Sequence, residues 1–237
     1  MKKKVSIIIP VFNEESTIKE VINKVLDIKS EDFDKEIIIV NDGSTDNTQD
    51  ILNSFQSNHR IKIIEHKKNL GKGAAVRTGI KNATGDVIII QDGDLEYDPK
   101  DIVKCVKPIL SGKEKVVYGS RFLDKKQRKR IIKEGRLLFY LGGRVITILT
   151  NFLFGVKLSD EPTCYKAFDS SIFRKIKIES NGFEWEPEVT AKVLKSGLQI
   201  KEVPITYYPR KEGKKIKYVD GLKAISTLVR YKFYYPQ

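Results

Sequence analysis

Five short runs of β-branched and aliphatic residues, at positions 5–10, 36–40, 61–65, 87–91 and 116–119, recur through the first half of the chain with amphipathic stretches between them. The runs read as strands, and the stretches beginning near Glu14, Thr45, Gly71 and Pro99 read as helices. Parallel neighbours need a crossover, and a crossover helix must bury its apolar face on the sheet. A βαβα order therefore implies a mainly parallel α/β sheet with helices on both faces. In such sheets ligands bind beyond the carboxyl ends of the strands, so the segment after each run should carry the chemistry.

Those segments are "PVFNEE", "NDGSTDNT", "QDGDLEYDP" and "YGSR", dominated by carboxylates, amides and one arginine. Helix capping accounts for some of them. Asp42 and Thr45 are placed to cap the second helix, and Asp98-Pro99 is a good cap with proline at the first helical position. Capping leaves Glu14, Asp42, Asp92 and Asp94 gathered at one edge without a reason. Two carboxylates at i and i+2 after a strand, with a third two residues on, can converge on a hard divalent cation. Asp92 and Asp94 form the core of such a site for Mg²⁺ or Mn²⁺, with Glu96 a further ligand. The ion would neutralise a nucleoside diphosphate leaving group.

The surroundings suit that reading. Gly93 allows close backbone approach, Asp42 can accept from a nucleobase, and Arg121 offers a fork of donors to a diphosphate. Gly71, Lys72 and Gly73 open a helix where backbone N–H groups favour anions. The full phosphate-loop pattern is missing, and no GxGxxG follows the first strand.

At 237 residues the chain can hold one domain with a substantial core, and no repeat or low-complexity linker divides it. Cys105 and Cys164 suggest neither a disulfide framework nor metal-ligand spacing, which fits a reducing, cytoplasmic compartment. The apolar run at residues 5–11 is too short for a signal peptide. No stretch of about 18 or more uncharged apolar residues occurs, so no transmembrane helix is expected. A net charge of +13 calls for an anionic partner: nucleic acid, membrane headgroups or phosphorylated substrates. The excess gathers in "KKQRKRIIKEGR" (125–136) and "PRKEGKKIK" (209–217), each of which alone reads equally well as a solvated face. A basic nucleic-acid-binding protein would account for the charge, but its acidic edge would repel phosphates, and no nucleic-acid partner is expected.

The stretches "SIIIPVFNEESTI", "IIIVNDGSTDNT", "LGKGAAVRTGI", "IIIQDGDLEYDP" and "VVYGSRF" resemble, in order, the motifs of the inverting family-two glycosyltransferases with the GT-A fold. The later "DEPTCYKAF", "NGFEWEPEVTAKVLKSGLQIKEVPITYYPR" and "EGKKI" resemble the dolichol-phosphate mannosyltransferase-like branch, which glycosylates polyprenyl phosphates. The resemblance implies a single glycosyltransferase domain over residues 1–237, with a nucleotide-sugar-binding half to residue 121 and an acceptor- and membrane-facing half with amphipathic helices beyond it. Pro10, Phe12, Glu14 and Asp42 match base- and ribose-contacting positions. Asp92 and Asp94 match the DxD motif for metal and donor diphosphate, and Glu96 a position that also faces the metal. Lys72 falls in the donor-binding helix start, and Arg121 matches the arginine near the diphosphate. Arg210, Lys214 and Lys215 fall in a basic loop expected to close over the donor and acceptor phosphates. Gly93 stands where alanine is more usual.

A phosphate monoester has a second pKa of ~6 and is largely a dianion at neutral pH, so a polyprenyl phosphate needs no strong base to attack the sugar. A sugar hydroxyl would need one, and Asp160 is the candidate. Residues 137–156 are apolar almost all round, broken by Arg144 and Asn151. They fit a core helix, or a helix lying in the interface of an anionic membrane on its cytoplasmic side. The donor expected is GDP-mannose ahead of UDP-glucose.

Overall fold

The computed structural model describes residues 2–133, 137–210 and 215–234. Seven strands, β1 (Lys3–Val11), β2 (Phe33–Asn41), β3 (Ile61–Glu65), β4 (Val87–Ile90), β5 (Val116–Ser120), β6 (Lys166–Asp169) and β7 (Lys201–Pro204), form one sheet in the order β3-β2-β1-β4-β6-β5-β7. The pairings are parallel except those that β6 makes with β4 and β5. All five apolar runs form strands. β1 and β2 outlast theirs because parallel pairing continues from Lys3 opposite Phe33 to Val11 opposite Asn41.

The helices are α1 (Ile18–Leu26), α2 (Thr48–Asn53), α3 (Lys72–Asn82), α4 (Ile102–Leu110), α5 (Lys125–Lys133), α6 (Leu137–Phe154), α7 (Trp185–Lys195) and α8 (Tyr218–Phe233). Ile7, Ile8 and Ile9 are consecutive and all fully buried, which requires cover on both faces of the sheet. On α1, Ile18, Val21, Ile22 and Val25 repeat at helical spacing and enter the same core.

Capping resolves unevenly. Asp98 accepts from the Lys100 N–H with Pro99 at the first position of a 3₁₀ turn leading into α4. The expected caps of α2 are corrected: Asp46 Oδ1 accepts the Thr48 N–H at 3.0 Å, while Asp42 serves another loop and Thr45 donates its N–H to Asn13 Oδ1.

The strand β6 has no counterpart in the sequence reading, since four residues cannot display an alternating pattern. Its reversed direction matters. Its lead-in, residues 160–165, arrives at the edge where β1, β2, β4 and β5 end.

The helix α6 packs against the rest of the protein along one side and leaves the other side outward. Ile146, Leu149 and Leu153 pack inward beside Ala191 of α7 and Leu228 and Tyr231 of α8, while Leu141, Val145, Ile148 and Phe152 stay exposed. Its polar interruptions tie down the following loop: Arg144 Nη1 donates to Ser159 O at 3.1 Å, and the Asn151 amide exchanges two hydrogen bonds with Leu158. Among the described residues no helix is long and apolar enough to cross a membrane.

Candidate active site

The acids gather where β1, β2 and β4 end. Leu95 adopts a left-handed conformation (φ 60°), rare for a branched side chain, and the Glu96 N–H donates to Asp94 Oδ1 at 3.2 Å. The turn is moored at its start by Thr17 of the α1 N-cap, whose hydroxyl donates to the Gly93 carbonyl at 2.7 Å. Gly93 itself is not forced by space, since a methyl there would meet Val11, Ile18 and Glu14 at 3.5–3.7 Å, ordinary contact distances.

Each acid faces a cation. Lys72 Nζ, at the start of α3, lies 2.9 Å from Asp92 Oδ1 and 3.1 Å from Glu186 Oε1. Arg210 reaches across from the segment after β7: Nη1 is 3.2 Å from Glu14 Oε1, Nη2 is 3.6 Å from Asp94 Oδ2, and its backbone N–H donates to Glu96 Oε1 at 2.8 Å. Its Nε is buried and has no hydrogen-bond partner among the described residues. Lys215 donates to Glu14 Oε1 at 2.6 Å and to the carbonyls of Phe12 and Asn13, its Nζ standing 5.7 Å from the Phe12 ring centroid. Pro10 lies buried in β1 opposite Val40. Lys214 lies outside the described residues.

Asp42, expected to face a base, also organises the α3 entrance. Its carboxylate accepts from the N–H groups of Leu70 (3.0 Å) and Gly71 (2.7 Å) and meets His66 Nδ1 at 2.7 Å. Gly71 is required there, because its φ is +100° and a Cβ would stand 2.4 Å from Asn181 O.

Arg121 and Asp160, given separate roles in the sequence reading, come together as a closed pair. The Arg121 fork donates Nε to Asp160 Oδ2 at 2.8 Å and Nη2 to Oδ1 at 2.7 Å, and its backbone N–H adds a third bond at 2.9 Å. Asp160 is fully buried, and the Glu202 carboxylate fixes its loop by accepting the N–H groups of Ser159 and Asp160. A fork filled by a carboxylate is not offered to a diphosphate.

Burial, reinforced by the charges of Asp92 and Glu96 and opposed by Arg210, pushes the Asp94 carboxyl up to about 7 from its ordinary 3.8. Between those values the folded chain keeps a proton that the unfolded chain has released. Asp94 therefore makes stability fall as pH rises through this window. The difference in thermal midpoint between wild type and Asp94→Asn should grow in the variant's favour from about pH 4 to about pH 7. A pH-independent difference in scanning calorimetry would contradict this.

Carboxylate oxygens are the ligands that Mg²⁺ and Mn²⁺ favour, and the crowding of Asp92, Asp94 and Glu96, which Arg210 offsets only in part, suits a dication. Asp92, Asp94 and Glu96 could hold one. Among the described residues no three His, Cys, Asp or Glu side chains already converge in metal-binding geometry, because Lys72 and Arg210 answer the acids separately.

Glu186 and the bridge between Tyr97 and Tyr207, which seats the post-β7 segment on the acidic turn, escaped the sequence reading. Glu186 had a signal in the acids at 184, 186 and 188, but acids at a helix start are also ordinary dipole partners.

The family profile described as Glycosyl transferase family 2 matches residues 6–177. The UDP-N-acetylglucosamine--dolichyl-phosphate N-acetylglucosaminyltransferase of Methanococcus voltae is 31% identical over 221 residues, covering 86% of this chain and 85% of its own. The dolichol-phosphate mannosyltransferase of Pyrococcus furiosus is 27% identical over 216 residues, covering 89% of this chain and 58% of its own length. Among solved structures, glucosyl-3-phosphoglycerate synthase from Mycobacterium tuberculosis, in complex with Mn²⁺, UDP-glucose and phosphoglyceric acid, superposes with a TM-score of 0.70. At 18% identity over 97% of this chain and 80% of that one, the likeness is one of fold, and the α/β GT-A architecture expected from the motifs is borne out.

Proposed function

This chain belongs to glycosyl transferase family 2, and on that premise we propose that it moves a hexose from a nucleotide sugar to the phosphate of a dolichyl or polyprenyl lipid, with inversion. GDP-mannose is favoured over UDP-glucose as donor. The observation that carries this reading is the pairing of Asp94, on the acidic turn, with Arg210 and of the adjacent Glu14 with Arg210 and Lys215, while the carboxylate best placed as a base, Asp160, is closed by Arg121. Such a site suits two phosphate-bearing substrates and lacks what a hydroxyl acceptor needs.

Residues 1–121 supply the donor half. Phe12, Glu14 and Asp42, with Pro10 behind them, frame the base and ribose, and Lys72 and Gly93 border the diphosphate. Asp92 and Asp94, with Glu96 beside them, would hold Mg²⁺ or Mn²⁺, which when bound neutralises charge developing on the departing diphosphate. Lys72 meanwhile keeps the Asp92 carboxylate oriented from the side. Residues 122–237 supply the acceptor half, in which Arg210, Lys215 and Lys214 screen the repulsion between an incoming phosphate dianion and the donor. Arg121 acts by rigidifying the β5 end against Asp160. A lipid acceptor keeps the enzyme peripherally at a membrane surface.

Incubation with labelled GDP-mannose or UDP-glucose, Mn²⁺ or Mg²⁺, and polyprenyl phosphate should yield an organic-extractable glycolipid, lost on chelation. Transfer to a free glycan with none to lipid phosphate would overturn the reading in favour of a hydroxyl acceptor.

A further inference from the structure

The basic helix α5 contains a single uncharged polar residue, Gln127, which the chemistry of the site leaves without a use. Every residue of α5 is exposed except Gln127 and Ile131, one helical turn apart on the same side. What the Gln127 amide meets is backbone alone. Nε2 donates to the Arg121 carbonyl at 3.1 Å and to the Ile205 carbonyl, and Oε1 accepts the Tyr207 N–H at 3.1 Å.

Those partners have a pattern. Strands β5 and β7 pair in parallel as far as Ser120 opposite Pro204, and the Ile205 N–H still donates to Ser120 O at 3.1 Å. Beyond that the two chains part, because Arg121 turns to Asp160. In a parallel ladder one residue bonds the C=O and the N–H of two neighbouring-strand positions, i and i+2, and Gln127 does so with Ile205 and Tyr207. A side-chain amide thus supplies the rung that the backbone of β5 no longer can. Only an amide carries both donor and acceptor for it; a lysine or a glutamate there would offer one half.

The opposite side of the same segment is gripped as well. The Thr206 N–H donates to Asp101 Oδ2 and the Tyr208 N–H to Glu96 O at 2.7 Å, and after Pro209 the Arg210 N–H donates to Glu96 Oε1. Residues 205–210 therefore form an arm whose backbone N–H groups are all engaged, up to the residue whose guanidinium meets Asp94 and Glu14. Arg130 adds a bond from Nη2 to Tyr207 O at 2.6 Å, its guanidinium 5.3 Å from the Tyr208 ring centroid.

The geometry points to Gln127 as a positioning residue: it holds the arm in register with β5 and so sets Arg210 against the acidic turn. Its purpose rests on the transfer reaction proposed above. A cation that screens two phosphates has to be held within about 0.5 Å of its working place by groups that are themselves fixed. Without the added rung, the last strand pairing before Arg210 is at Pro204.

Gln127→Met keeps side-chain length and helix propensity but removes the amide. In hydrogen exchange followed by nuclear magnetic resonance, the Tyr207 and Tyr208 amides should lose protection by ~10-fold or more while those of β1 and β4 keep theirs. The kcat/KM for sugar transfer should fall by ~10-fold or more, and the same substitution in an Arg210→Ala background should cost less than ~2-fold, because residues acting through one contact are not additive. Equal losses in the two backgrounds, or unchanged exchange at 207 and 208, overturn the proposal and leave Gln127 a staple of α5. Should Gln127→Met not fold, Gln127→Glu goes through the same cycle, since it keeps an acceptor for Tyr207 and sets a carboxylate against the carbonyls of Ile205 and Arg121. Absence of transfer by wild type counts against the reaction, and the exchange measurement then decides the role of Gln127 by itself.

Discussion

Asp94→Asn is expected to abolish sugar transfer while leaving the protein without ligands as stable as wild type near pH 7, or more so. The substitution is isosteric and keeps an oxygen to accept the Glu96 N–H, so the turn through Leu95 should survive. What it removes is charge that the fold disfavours, for burial and the neighbouring acids Asp92 and Glu96 raise this carboxyl to about 7. Groups held in a costly state by the surrounding fold cluster at functional sites, and their removal commonly trades activity for stability. If the acid holds a divalent ion that neutralises the leaving group, turnover should fall on the order of 10³-fold, equivalent to about 4 kcal/mol of transition-state stabilisation. Manganese binding followed by electron paramagnetic resonance should weaken in parallel. A variant with near-normal turnover, or one that loses both activity and thermal stability, would contradict the assignment.

The largest effect on stability is expected at the other pair. Asp160→Ala leaves Arg121 Nε and the Arg121 backbone N–H without their acceptor, and Nη2 with only the Pro162 carbonyl, in a setting where Asp160 is fully buried. Removing one member of a buried ion pair typically costs about 3–5 kcal/mol, far more than the pair contributes over an apolar replacement. In a chain of this size that lowers the thermal midpoint by about 10 °C. Replacing both members with apolar residues, Arg121→Met with Asp160→Leu, should recover much of the loss. Asp160→Asn tells the two roles apart. A positioning residue loses activity in step with stability and leaves the pH–rate profile in place, whereas a general base loses its acidic limb at nearly unchanged stability.

The same two sites show how much could be read beforehand. The strands 5–10 and 116–119 were legible because a strand buried on both faces is apolar almost throughout, and such runs are rare by chance, whereas 61–65, a half-exposed edge strand, was legible from its β-branched residues. Asp92 and Asp94 were legible because charge directly after such a run is costly unless used. Arg121 and Asp160 were each visible, but their union was not, because it joins residues 39 positions apart through an antiparallel strand of only four residues. Glu186 stayed hidden among helix-start acids until α7 placed it against Lys72.

The sequence by itself determined the mainly parallel sheet and the strand-end edge at which the acids gather, since hydrophobic periodicity and the position of charge relative to it are local properties of the chain. Only the tertiary structure decided which cation answers which acid. Arg210 and Lys215 come to Glu14 from about two hundred residues away, and α6 shows which of its apolar sides is core and which is left outward. Charge pairing and burial depend on distances that the chain sets only once β6 has turned back into the sheet and α7 and α8 have closed over it.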